Sequence, residues 1–315
     1  MLFRLVAVLT AGCLLMDGLA FAKKQKKKKK EEEVTQVLEL PKDPPQAVIA
    51  QTERLVFFNS SLSAKGLLSQ QIRDAIKSLW SAGKGAQIVK VRAFVAGSGD
   101  MRRVPAIVSE MFTEKKMALP AVSVVQVGSL PLDGAQVVLE AMAQDKKPVN
   151  PTGISFMPGF KIGEGDPRTI TCYMASLEKT NDLRSKIAGA HPKAVVNFVQ
   201  IRRDTVGEFY QCEAIAAGQG VSGKIAITGT QLAFGSGEQD LRLAFGRLEK
   251  ALMPLNTKLA NAVWAEFYPL SSKAVESLRK VQPEFFHLPE HPLLVFEGLP
   301  SMDAQFGVEV ITKAN

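Results

Sequence analysis

Three glutamates recur at one place in a repeated motif. Glu140 lies in "GAQVVLEAMA" (134–143), Glu213 in "GEFYQCEAIA" (207–216) and Glu309 in "DAQFGVEVIT" (303–312). A carboxyl held near the end of a strand either accepts hydrogen bonds from backbone donors or faces a ligand, and the pattern suits both roles. Other apparent sites fail on their chemistry. "GQGVSGK" (218–224) has the outline of a phosphate loop, but Ile225 stands where Ser or Thr is needed and the strand "IAIT" comes next instead of a helix. His287 and His291 are four residues apart, yet Pro289 between them argues against a helical pair. With His191 distant and no Cys beside them, no metal site is expected. No nucleophile elbow, zinc-protease motif or dinucleotide fingerprint is present, so no cofactor is expected.

The elements that carry the glutamates are repeated. "RLVFFNSSLSAKGLLSQQIRDAIKSLWSAG" and "KIAITGTQLAFGSGEQDLRLAFGRLEKAL" each read as a strand followed by an amphipathic helix. Asn59 precedes Glu140 by 81 positions, as Thr228 precedes Glu309, and Gln70 and Gln239 share the offset of 169. Ile72, Ile76 and Leu79 fall on Leu241, Phe245 and Leu248, one apolar stripe at helical spacing in each copy. A strand, a second helix and a closing two-strand segment come after each, the last introduced by Pro120 or Pro292. The middle copy is shorter: "GISFMPGFKIGEGD" offers a hairpin and no first helix. The expected boundaries are 47–146, 147–220 and 221–315.

The N-terminal segment reads as an export signal. Residues 1–22 combine Arg4, an apolar run from Leu5 to Met16, and Ala-Phe-Ala at 20–22. A lipobox reading of Cys13 is disfavoured by its place inside the apolar run. Residues 23–46 form a Lys/Glu/Pro-rich tether, a solvated spacer with an anionic envelope surface as its alternative partner. Its run 23–33 holds seven Lys and three Glu, half of the chain's net charge of +8. Residues 34–315 are too mildly basic to suggest nucleic acid as a partner. Export would let Cys172 and Cys212 form a persistent disulfide, while two buried small residues are the alternative.

"LPAVSVVQVGSLP" with "LEAMA", "CEAIA", and "ITGTQ" with "GLP" and "VEVIT", taken in order, resemble the Rid family of reactive intermediate deaminases, also called YjgF-like proteins. The resemblance implies an α+β fold of three chorismate mutase-like units, each a mixed sheet covered by two helices, with the middle unit truncated. It also implies that three such units pack as an intramolecular pseudo-trimer, a monomer with ligand clefts between units. Because both cysteines fall on strands of the second copy that are neighbours in the family's sheet, the resemblance places Cys172 near Cys212.

Family members hydrolyse 2-imino acids, and the resemblance implies an Arg that grips the substrate carboxylate and a closing Glu that positions water. A bidentate guanidinium suits a planar carboxylate as no apolar group can. The matching positions hold Val122, Ala194 and Leu294, with Lys193 as the cation nearest in the second copy. The leading expectation is therefore binding of a small planar metabolite, or a structural role, at the clefts between repeats. A divergent imine or enamine deaminase using Glu140, Glu213, Glu309 and Lys193 is the alternative, and a protein-docking adaptor of the envelope is the third.

Overall fold

The period-two alternation that marks a strand as half-buried is satisfied on both faces here, because each sheet meets helices on one side and its sister sheets on the other. The structure, a computed structural model, describes residues 41–289 and 292–315. The export segment, tether residues 23–40 and His291 lie outside the described residues.

In chain order the strands and α-helices are β1 (Ala47–Gln51), β2 (Leu55–Asn59), α1 (Leu68–Gly83), β3 (Gln87–Ala96), α2 (Arg103–Glu114), β4 (Ala121–Val127) and β5 (Val137–Gln144). The second unit has β6 (Ile154–Phe160), β7 (Asp166–Met174), α3 (Thr180–Ala190), β8 (Val195–Gln200) and β9 (Tyr210–Ala217). The third has β10 (Lys224–Thr228), β11 (Gln231–Ala233), α4 (Glu238–Leu252), β12 (Ala262–Pro269), α5 (Ser272–Val281) and β13 (Phe306–Lys313).

Three sheets result. The first runs β2-β5-β3-β4 and the second β6-β9-β7-β8, each antiparallel except for its last, parallel pair. The third runs β1-β10-β13-β11, with β12 also on β13. The expected helix faces are buried: Ile72, Ile76, Leu79, Leu241, Phe245 and Leu248 are fully enclosed. In the second unit a short turn joins β6 to β7 in place of the first helix; the two strands do not form the expected hairpin but flank β9, and α3 is the unit's only α-helix among the described residues.

Two boundaries differ from the sequence reading. Residues 47–51, assigned to the first copy, form β1 and pair antiparallel with β10 in the third unit's sheet. Of the two closing strands expected after Pro292 only β13 forms; the stretch before it is anchored by the Phe296 N–H donating to the Pro269 carbonyl at 3.0 Å, and Gly298 bridges to Gln126 of the first unit. Cys172 and Cys212 are direct cross-strand partners with Cα atoms 4.1 Å apart, and they form a disulfide inside the second unit's core.

The units interlock in a cycle. β2 lies against β7 and β8, and β10 lies against β3 and β4. Phe156 of β6 meets Trp264 of β12 with ring centroids 5.3 Å apart. Each unit thus lends its first strand to the central strand of the next. The non-helical faces of all three sheets converge on one pseudo-threefold axis.

Candidate functional site

Strand register shows which residues are equivalent across the units. Glu140 pairs with Arg92, Glu213 with Thr171 and Glu309 with Glu266. One step toward one end of the axis the central strands carry Phe94, Tyr173 and Tyr268; two residues toward the other end lie Lys90, Thr169 and Trp264. Residues one position away, such as Val91, Ala93, Cys172, Ala265 and Phe267, pack into the helix-covered cores instead. The axial faces therefore make a polar layer between two apolar clusters, one holding Phe94, Tyr173 and Tyr268, the other Phe57, Ile227 and Trp264.

The three sequence-predicted glutamates meet in that layer, and each is held by another unit. Arg92 donates from Nε to Glu140 at 2.8 Å and from Nη2 to Glu213 at 2.7 Å, joining the first two units. Asn197 of the second unit donates to Glu140 at 2.8 Å, and Thr171 does so at 2.6 Å. Lys90 uses its three donors on Ser123 (2.6 Å), the Thr228 carbonyl (2.5 Å) and Glu309 (2.5 Å), joining the first and third. Ser123 also donates to Glu309. Tyr173 and Tyr268 donate to Glu213 and Glu309 at 3.0 and 2.8 Å. Backbone donors are not what satisfies these carboxyls; side chains of their own and of neighbouring units are.

Burial sets the electrostatics. Glu266 is pushed well above the usual carboxylate range, first by burial and then by the adjacent Glu213 carboxyl, with which it shares a hydrogen bond. Its Oε1 has no hydrogen-bond partner among the described residues, and Arg92 Nη1 stands 3.8 Å away. Burial lowers Lys90, partly offset by Glu309. Four carboxyl groups thus face two basic side chains in one enclosed layer.

A cavity opens on this layer, with about 50 Å³ of space for the centre of a water molecule. Its apolar walls include Phe57, Met142, Ile215, Trp264 and Ile311, and its floor is the polar layer. Asn59, Met142 and Thr169, at the seam of the first and second units, are partly exposed and mark its mouth.

The remaining sequence-predicted residues fall elsewhere. Lys193 lines a separate outer cavity with Arg168, Val149 and Phe57 and does not line the axial cavity with the three glutamates. Register makes Val196, not Ala194, the counterpart of Val122: Val122 pairs with Val91 and Val196 with Ile170. Pro120 directly precedes β4, whereas a turn separates Pro192 from β8, and this displaces the match by two residues. Val122 packs against the helix-covered core, and a Cβ on Gly229 of the third unit would meet its carbonyl at 2.7 Å. Leu294 packs beside Phe296 and Tyr268. Sequence reasoning missed Lys90, Arg92 and Glu266; the available signal was a charge in the alternating middle strand of a repeat, "VKVRAFV" and "VWAEFYP". Among the described residues, no cluster of three or more His, Cys, Asp or Glu is arranged to hold a metal ion.

Residues 58–145 match the family model described as Endoribonuclease L-PSP. No curated protein matches the chain. Among solved structures, a chorismatase is similar at 10% identity over 85% of this chain and 77% of its own, with a TM-score of 0.46. The E. coli YjgF gene product is similar at 23% identity over 33% of this chain and 94% of its own, with a TM-score of 0.27. E. coli TdcF with bound serine is similar at 21% identity over 34% and 97%, also at 0.27. The family match lies within the first unit, which is Rid-like.

Proposed function

We propose that this protein is a single-chain Rid-like pseudo-trimer that binds a small molecule in its axial cavity and does not hydrolyse 2-imino acids. The observation that carries this reading is the commitment of both basic groups in the cavity. Arg92 and Lys90 are held by buried carboxyls, so neither is free to clamp a substrate carboxylate. The glutamates are largely committed too: Glu140 and Glu309 accept at both carboxyl oxygens and Glu213 at Oε1, which removes those oxygens as a base for an attacking water. The deaminase alternative also loses its cation, since Lys193 faces a different cavity.

In this reading the chain is exported and works as a monomer. The Cys172–Cys212 disulfide supports an oxidising destination, and the cyclic interlock supports a self-sufficient chain. The deciding assay follows 2-iminopropionate during coupled amino-acid oxidation, with an active family member as control. Disappearance at the uncatalysed rate is the expected result. Turnover near that of the control would overturn the binding reading.

A further inference from the structure

Resting on that binding reading, we propose that the axial cavity takes a small apolar primary amine, bound as its ammonium cation, with the alkyl part between Trp264, Phe57 and Met142. Charge complementarity selects the head group. Glu140, Glu213, Glu266 and Glu309 converge on a layer whose cations among the described residues are Lys90 and Arg92, and both are already paired. An anionic head would add to an existing carboxyl excess in an enclosed site, at the cost of burying unpaired charge. A cationic head offsets that excess. The Oε1 of Glu266, whose side chain is 8% exposed, has no hydrogen-bond partner among the described residues, with Arg92 Nη1 3.8 Å away. Glu266 does not itself line the cavity; it acts through Glu213, which does.

Shape selects the remainder. The space holds about three to five water-sized atoms, by the volume one water needs. Its walls away from the layer are apolar, with Ile215, Ile311 and Trp264 nearly or fully enclosed. A bare ammonium ion would leave these walls in contact with nothing but water, whereas a short alkyl chain buries against them. The half-exposed Asn59, Met142 and Thr169 provide entry between the first and second units.

The test uses the purified chain with n-butylammonium, ammonium, butyrate and 1-butanol at one ionic strength, read by calorimetric titration and thermal shift. Saturable binding of butylammonium is expected, at least tenfold tighter than ammonium or 1-butanol, with none for butyrate. Met142→Trp, which fills the mouth, should abolish binding while leaving the unfolding midpoint within a few degrees. If that variant does not fold, competition by the bulkier cyclohexylammonium replaces it, and failure to bind is then the expected outcome. Butyrate binding as tightly as butylammonium overturns the proposal, as does the absence of any saturable binding. The imine assay is separate: turnover there overturns the binding reading, whereas no turnover and no amine binding overturns this inference alone.

Discussion

β3 and β12 hold the same place in their units, yet one presents Lys90, Arg92 and Phe94 to the axis and the other Trp264, Glu266 and Tyr268. In a symmetric homotrimer the three residues at such a position would be identical, and three arginines or three glutamates would repel one another at close range. Joining the units in one chain removes that restriction. The axis can hold an arginine from the first unit, a threonine from the second and a glutamic acid from the third. The second comparison concerns stapling. At the register position next to the polar layer, the first and third units pair Ala93 with Leu139 and Phe267 with Val308, while the second pairs Cys172 with Cys212. The unit with one helix in place of two carries the covalent bond.

The largest effect should come from breaking the charge on the first side of the comparison. Arg92→Met leaves Glu140 and Glu213 buried without their cation, and loss of about 3–5 kcal/mol is expected in urea unfolding. A loss below about 1 kcal/mol would show that the layer does not lock the units together. Replacing both cysteines by alanine should cost about 2–4 kcal/mol, given a closed loop spanning 40 residues. Reducing agent should then lower the unfolding midpoint of the parent protein and leave that of the double variant unchanged.

A smaller effect, of opposite sign, is expected on the other side of the comparison. Glu266 is surrounded by Glu213 on β9, Arg92 and Lys90 on β3, Glu309 on β13, Tyr173 on β7 and Tyr268 on its own strand. Because folding raises its pKa, the folded chain keeps a proton that the unfolded chain releases. Stability from this group is complete below the ordinary Glu range and declines as pH rises toward the raised folded value. Glu266→Gln removes that decline, so the variant should match the parent at pH 4 and exceed it by about 1 kcal/mol at pH 8. A variant less stable than the parent at pH 8 would mean that the carboxylate form is favoured. The smallest effect is expected from Val122→Arg: imine turnover should remain absent, since this side chain packs on the helix side and Ser123 is the β4 residue that reaches the axis.

Much of the fold was legible because it is written twice at a fixed offset. The strand-helix repeat, the buried stripes through Ile76 and Phe245, the single helix of the middle unit and the recurrence of like glutamates all follow from periodicity. The partners of those glutamates do not. Arg92 and Glu266 align only through strand register, since the link from α1 to β3 is a short turn whereas that from α4 to β12 contains two 3₁₀ turns, Met253–Leu255 and Leu259–Asn261. Glu266 also reads as an exposed charge in a strand whose other face is apolar, and only the presence of two further sheets makes it interior. The same reason hid β1: five residues, four of them apolar, cannot announce which of three sheets they will join.

The long reach of the cyclic interlock has a consequence for how the chain is made. Lys90 finds Glu309 across 219 residues and the Thr228 carbonyl across 138, while β1 waits for β10. A ribosome releases the first unit long before these partners exist, so that unit emerges with a buried-type lysine, an arginine and an open apolar face still exposed to solvent. Its local helix contacts can form early, but the axis can close only when β13 arrives, and such distant pairings are slow to form. The nascent chain is therefore vulnerable to aggregation and proteolysis until its last strand is in place.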